Sequence, residues 1–182
     1  MSGSTDQLTE ARDAFVEQWG SMGSAWGINR TMAQIHALLM VSESPLCTDE
    51  IMDELKISRG NANSNLRELT GWGLVRGFVP KGERKEYFEA EKDVWRIFCT
   101  VVRERKRREI EPVLQVLERC LEKTEGLQSR PAQEFRAQIS SLQTFVSMAN
   151  VAMDRVAASE KNELLPLAAK FLARRGKPGK NG

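Results

Sequence analysis

The feature that most constrains the fold is a pair of short helical patterns separated by very few residues. Thr48 is a good N-cap residue, and it precedes a short acidic stretch with an apolar stripe. Ser58 follows that stretch after only two residues and can cap a second helix that runs to about Gly73. Two amphipathic helices joined by so tight a turn are typical of a helix-turn-helix.

The residues around this pair extend the pattern. Asn29 is a further N-cap candidate, and the apolar helix it begins is expected to end at Pro45. After the second helix, β-forming residues over Val75–Val79 and Arg84–Phe88 flank a Pro and Gly turn, which predicts a hairpin. Three helices followed by a hairpin are the order of a winged helix-turn-helix.

Amphipathic helices flank this module. Apolar residues recur at helical spacing over Leu8–Met22, and Gly20, Gly23 and Gly27 are expected to loosen the chain before Asn29. A long helix is predicted over Val94–Leu121, kinked at Pro112, and a second begins at Pro131. The apolar face of the helix that begins at Pro131 comprises Phe135, Ile139, Leu142, Phe145, Val146, Ala149, Met153 and Val156.

The predicted class is therefore mainly α, a winged helix-turn-helix with a β-hairpin wing and long flanking dimerisation helices. The expected division is an N-terminal helical arm over 1–28, the winged module over 29–90, dimerisation helices over 91–173 and a flexible basic tail over 174–182. A shorter amphipathic piece is expected over Leu164–Leu172. The length of 182 residues suits one module with extra helices rather than two enzyme-sized domains.

The charge is segregated along the chain. The net charge is only +2, yet residues 42–54 carry five acidic residues and no Lys or Arg. Residues 59–85 carry six basic residues against two acidic ones. A local positive field therefore coincides with the helix that begins at Ser58 and with the hairpin that follows it.

The second helix has the two faces that a DNA-reading helix needs. Ala62, Leu66 and Leu69 point inward at helical spacing, which puts small, polar and cationic residues outside. Arg can pair with guanine and Asn with adenine, whereas the cations of the hairpin turn can meet phosphates or enter the minor groove. The residues predicted to contact DNA are Ser58, Arg59, Gly60, Asn61, Asn63, Ser64, Arg67, Lys81, Arg84 and Lys85. An ordinary solvated helix face is the alternative.

Other chemistry finds little support in the sequence. The single histidine, His36, lies in an apolar helical run, and no P-loop or hydrolase motif accompanies it, so we expect no enzyme and no cofactor. The unpaired Cys47, Cys99 and Cys120 are expected to be buried apolar residues, with a redox switch at Cys47 as the alternative.

The basic run Arg103–Arg108 either touches DNA backbone or forms a solvated girdle. No segment is predicted to span a membrane or to direct secretion, so a cytoplasmic location is expected.

Several stretches of the winged module resemble the GbsR branch of the MarR-type regulators. They are Gly27–Arg30, Leu55–Asn61, Asn65–Leu69, Trp72–Val75 and Gly82–Phe88. The resemblance implies a dimeric winged-helix DNA-binding regulator with its recognition helix at Ser58–Trp72, its wing at Val75–Phe88 and subunits paired through the terminal helices. We expect a sequence-specific homodimeric regulator of duplex DNA, more typically a repressor.

Two further possibilities remain open on the sequence. A winged helix can also serve as a protein-interaction module, which would expose an apolar patch on the second helix. The family name points to choline-like osmolytes as effectors, and an aromatic cage for such a cation would draw on Trp19, Trp26, Tyr87 and Trp95. Packing between helices is the alternative use of these aromatic residues.

Overall fold

The computed structural model describes residues 2–159, in two compact units that meet in sequence between Ile97 and Phe98. The sequence expectations for Leu164–Leu172 and for the tail over 174–182 lie outside the described residues. None of the helices in the described residues combines the length and the hydrophobicity that a membrane-spanning segment needs. In the same described residues, no cluster of three or more His, Cys, Asp or Glu side chains is arranged so that it could hold a metal ion.

Three helices form the centre of the first unit. They are α2 (Arg30–Val41), α3 (Thr48–Leu55) and α4 (Arg59–Trp72). Their inward faces are almost completely buried at Ile35, Ile51 and Leu66, each of which contributes roughly 1.5–3 kcal/mol by leaving water. Asn29 caps α2 as predicted, because its side chain accepts a hydrogen bond from the Met32 N–H. The helix ends at Val41, before the expected Pro45.

The start of α3 differs from the sequence expectation. Cys47, not Thr48, is the N-cap residue. The carboxylate of Glu50 accepts a hydrogen bond from the backbone N–H of Cys47 at 2.7 Å, which stabilises the beginning of the helix and lowers the pKa of Glu50. Cys47 takes the extended conformation because it also belongs to a short strand, β1 (Leu46–Cys47), which the sequence did not predict.

Helix α4 begins and ends where the sequence predicts. Ser58 accepts a hydrogen bond from the Asn61 N–H, and Gly73 ends the helix in the left-handed conformation at φ 77°. The turn between α3 and α4 passes through Lys56, which is also left-handed at φ 53°. Ala62, Leu66 and Leu69 are buried as expected.

The wing is an antiparallel pair completed by β1. Strands β2 (Val75–Phe78) and β3 (Tyr87–Ala90) pair with Val75 opposite Ala90, and β1 adds to the other side of β3. The second strand was expected over Arg84–Phe88, which is wrong by about three residues. The connection, hereafter the wing loop, covers residues 79–86 and includes the three cations predicted to meet DNA.

The first helix packs closely against the second. Helix α1 (Ser2–Ala25) contains Gly20 and Gly23, which were expected to loosen the chain. Both glycines are instead helical and buried. A Cβ at Gly23 would lie 2.6 Å from the Cβ of Ala33 on α2, which leaves no room for a larger residue. These glycines therefore permit close contact between two helices, whereas Gly27, at φ 76°, does belong to the turn that follows.

The second unit is helical throughout its described residues. It begins within helix α5 (Val94–Arg105), whose first four residues belong to the first unit, and continues with a π-helical turn (Lys106–Ile110), α6 (Glu111–Lys123) and α7 (Arg130–Ala158). The π turn ends two residues before Pro112, whose missing N–H and ring disfavour a regular α-helix in the preceding turn, and the expected kink at this proline stays a prediction. Buried apolar residues here include Cys99 and Leu117, while much of the apolar face of α7 is exposed.

Candidate nucleic-acid interface

The outward face of α4 is exposed and polar. Gly60, Asn63, Ser64 and Arg67 are all exposed, on the side opposite the buried Ala62 and Leu66. Within the described residues the guanidinium of Arg67 has no acidic partner. A long cation on an open helix face is free to reach a ligand outside the protein.

Glycine at position 60 is not explained by packing inside the chain. A Cβ at Gly60 would meet no atom within 4 Å, and the same holds for Gly71 on the outward side of α4. Gly60 also has no positive φ that would require glycine. An outer surface without side chains is compatible with close approach of another molecule to the helix backbone.

Two predicted site residues are engaged inside the unit. The Oδ1 of Asn61 accepts a hydrogen bond of 2.6 Å from the Nδ2 of the buried Asn65, and the Nδ2 of Asn61 is 3.5 Å from Thr31 on α2. Ser58 is the N-cap of α4. Asn61 and Ser58 therefore have structural roles in positioning α4, which the sequence analysis did not separate from contact with DNA.

The wing loop carries three exposed cations beside its turn. Lys81, Arg84 and Lys85 all lie in this loop, where Gly82 has φ 91° and Glu83 N–H bonds to the carbonyl of Pro80. Lys81 and Arg84 have no acidic partner within the described part of the chain. The loop therefore presents positive charge next to the polar face of the module.

One acidic residue joins α3, α4 and the wing loop. Lys85 Nζ lies 3.0 Å from Oδ2 of Asp49, and the guanidinium of Arg59 bonds to the other carboxylate oxygen. The bonds from Lys85 and Arg59 hold the pKa of Asp49 below its usual value, and Asp49 raises the pKa of Lys85. Two of the predicted cations thus already have an anionic partner.

Asp49 belongs to this site although no pattern in the sequence indicated it. It was counted only among the acidic residues of residues 42–54. The pairing with Lys85 spans 36 positions in the chain, so no local spacing could reveal it. The sheet also adds the exposed Arg76, which bonds to Glu89 at 3.0 Å and lies 5.5 Å from the ring centre of Phe78.

The single histidine and two of the three cysteines are buried. His36 is 4% exposed, and burial lowers its pKa to about 4, so it is a neutral core histidine. Cys47 and Cys99 are buried, as expected, and Cys120 is half-buried. Buried thiols of this kind are normally unreactive, which disfavours a redox role for Cys47.

The basic run 103–108 has internal partners in the second unit. Arg107 bonds to Glu104 at 3.1 Å, and Lys106 bonds to Asp154 at 2.8 Å. These two ion pairs favour a structural role for the basic run over a contact with DNA. The four aromatic residues considered for a cage lie on α1, the turn after it, β3 and α5, and the ring of Trp19 packs on Phe15 at 5.4 Å. A cage remains a prediction.

Comparison with known families and proteins identifies the winged module. The family model of the arsR family of bacterial regulatory proteins matches residues 33–76, from α2 to β2. A solved chain described as a transcriptional regulator shares the fold with a TM-score of 0.53 at 20% identity, over 80% of this chain and 99% of that chain. The winged helix-turn-helix fold predicted from the sequence is confirmed.

Two curated relatives come from Bacillus subtilis (strain 168). The putative HTH-type transcriptional regulator YvaV is 22% identical over 94 residues, which cover 52% of this chain and 53% of the relative. The HTH-type transcriptional repressor GbsR is 22% identical over 111 residues, 61% of each protein. The chain therefore spans between about half and three fifths of the length of the curated relatives it matches. Its similarities are to transcription regulators.

Proposed function

We propose that this protein is a sequence-specific transcription regulator that binds duplex DNA and catalyses no reaction. Helix α4 would enter the major groove, with Arg67 reading a base edge and Asn63 and Ser64 beside it. The wing loop would contact the backbone or the neighbouring minor groove through Lys81 and Arg84. The observation that carries this proposal is the exposed polar face of α4, where Arg67 lies among small residues and has no acidic partner in the described part of the chain.

The same observation weighs against the rival function. A winged helix used as a protein-interaction module would present a large apolar patch on its second helix. Helix α4 lies wholly within the described residues, and the exposed large apolar side chains of the chain lie elsewhere. The surface chemistry of α4 therefore favours a polar, negatively charged partner.

The protein is further proposed to act as a homodimer through its terminal helices. On α7 the side chains of Phe145, Met148 and Val151 are 69%, 67% and 50% exposed in the single chain. Apolar surface of this kind along a helix is stabilised when a partner covers it. A second copy is the partner that suits a DNA reader, because a two-fold dimer matches a palindromic site.

The repressor role and the GbsR branch are proposals that the relatives support. GbsR is itself named a transcriptional repressor, and its similarity extends over 61% of this chain. The stretches noted in the winged module are consistent with that branch, although the family model that matches is that of arsR regulators. A small-molecule effector, of unidentified chemistry, completes the proposal.

Selection of binding sites from a random duplex library tests the function. The wild-type protein is expected to enrich a two-fold symmetric motif, and the enriched duplex then serves as the operator in titrations. Arg67→Ala should bind this duplex more weakly and relax its base preference at one position per half-site. Arg119 is an exposed arginine on α6 with no partner among the described residues, so Arg119→Ala is the matched control and should bind normally. Failure to enrich any sequence, or equal loss in both variants, would overturn the proposal.

A further inference from the structure

The carboxylate of Asp49 holds together two cations from different segments. Asp49 lies in the first turn of α3, Arg59 begins α4, and Lys85 belongs to the wing loop. One oxygen of the carboxylate accepts from Arg59 and the other accepts from Lys85 at 3.0 Å. All three side chains are solvent-exposed, between 42% and 61%.

The stability of the fold does not explain this arrangement. Exposed ion pairs contribute little to folding, because solvent screens them and the long side chains lose freedom. The wing is already held by the pairing of β3 with β1 and β2. The arrangement instead changes the charge of the proposed interface, because Arg59 and Lys85 are neutralised in part while Arg67, Lys81 and Arg84 are not.

A carboxylate held by a guanidinium and an ammonium group resembles a bound phosphate. Both anions accept charge-assisted hydrogen bonds from Arg and Lys, with oxygen atoms at similar distances. We propose that Asp49 occupies the position of a DNA backbone phosphate between Arg59 and Lys85, and that the phosphate must displace it on binding. Asp49 is then an internal competitor. The inference rests on the proposed function.

Two consequences follow from this competition. Asp49 weakens the binding of any duplex, because a backbone phosphate is present whatever the sequence. It leaves base preference unchanged, because that preference is assigned to α4 residues further along the helix. Replacing Asp49 by Asn should therefore tighten binding to the selected operator and to a scrambled duplex by the same factor.

The experiment compares Asp49→Asn with Asp53→Asn in fluorescence titrations of both duplexes. Asp53 is an exposed residue one turn further along α3 with no partner in the described part of the chain, so its variant removes the same charge without freeing Arg59 or Lys85. Release of two exposed ion pairs is expected to tighten binding by about fivefold in Asp49→Asn. Asp53→Asn should tighten it by less than about twofold, since only long-range repulsion is relieved.

A double-variant series identifies the route of the effect. In a Lys85→Ala background the gain from Asp49→Asn should shrink to about twofold, because only the Arg59 pair remains to be released. Unchanged or weaker binding by Asp49→Asn, or an equal gain in Asp53→Asn, would overturn the inference while wild-type binding upholds the proposed function. Absence of wild-type binding at low salt would overturn the proposed function and this inference together. Melting curves of each variant confirm that it is folded.

Discussion

Acidification is expected to destabilise this protein through His36. The imidazole is 4% exposed, its Nε2 is buried without a hydrogen-bond partner, and burial lowers its pKa from 6.5 to about 4. In the unfolded chain the same group takes up a proton near pH 6.5. The contribution of neutral His36 is complete above pH 6.5, is lost progressively as the pH falls, and is fully lost below about 4.

The size of the effect follows from these two values. At pH 5 the unfolded chain has bound nearly one proton at this histidine and the folded chain about a tenth of one. Lowering the pH from 7.5 to 5 should therefore reduce the free energy of unfolding by about 2 kcal/mol per chain. His36 is the only histidine in the sequence, so no other imidazole contributes over this range.

Urea unfolding at a series of pH values measures this effect. The control is His36→Leu, which removes the titrating group and fills similar volume, and its stability should depend much less on pH between 7.5 and 5. Because Nε2 is unpaired, the substitution breaks no hydrogen bond at that atom, and little loss is expected at pH 7.5. Parallel curves for the two proteins would refute the reasoning, since the pH dependence would then originate outside His36.

The other predictions concern the interface, the helix contact and the assembly. Arg67→Ala should relax base preference at one position per half-site, at a cost of roughly 1–3 kcal/mol. Lys85→Ala should instead weaken binding to all sequences alike and lower the salt slope by about 1 per lost contact. Salt titrations with operator and scrambled duplexes distinguish the two variants, and identical profiles would contradict the assignment. Gly23→Val should lower the free energy of unfolding by about 1–3 kcal/mol, because its Cβ would lie 2.6 Å from that of Ala33, while Gly60→Ala, in open space, should cause no loss in the same urea titration. Phe145→Glu should convert a dimer into a species near the monomer mass of 20.5 kDa in light scattering, with Gln138→Glu on the same helix as control; a wild-type protein of monomer mass would contradict the proposed dimer.

Much of the fold was accessible from the sequence because its signals are local. A cap residue bonds to a backbone N–H within one turn, so Asn29 and Ser58 could be recognised from their place before apolar stripes. The burial of Ala62, Leu66 and Leu69 follows from helical periodicity, which also determined the outward face of α4. These positions define the candidate site, and they need no knowledge of the rest of the chain.

The errors arose where a distant segment decides the local structure. Strand β1 is two residues long and exists only because β3 pairs with it, so it has no pattern of its own. The same pairing makes Cys47 the cap of α3 in place of Thr48. Gly20 and Gly23 look like helix breakers in isolation, yet contact with α2 requires small residues there and keeps them helical.

Periodicity, caps and turn residues act over a few positions, so the winged helix-turn-helix and the polar, cationic face of α4 could be predicted from the amino-acid order alone. Contacts between distant segments then determine which polar and charged residues of the interface already have a partner among the described residues. The carboxylate of Asp49 bonds to Lys85, 36 positions further along the chain, and the side-chain amide of Asn61 lies 3.5 Å from Thr31, 30 positions away. Electrostatic partnership depends on distances of a few ångströms in space, and a linear sequence does not contain those distances.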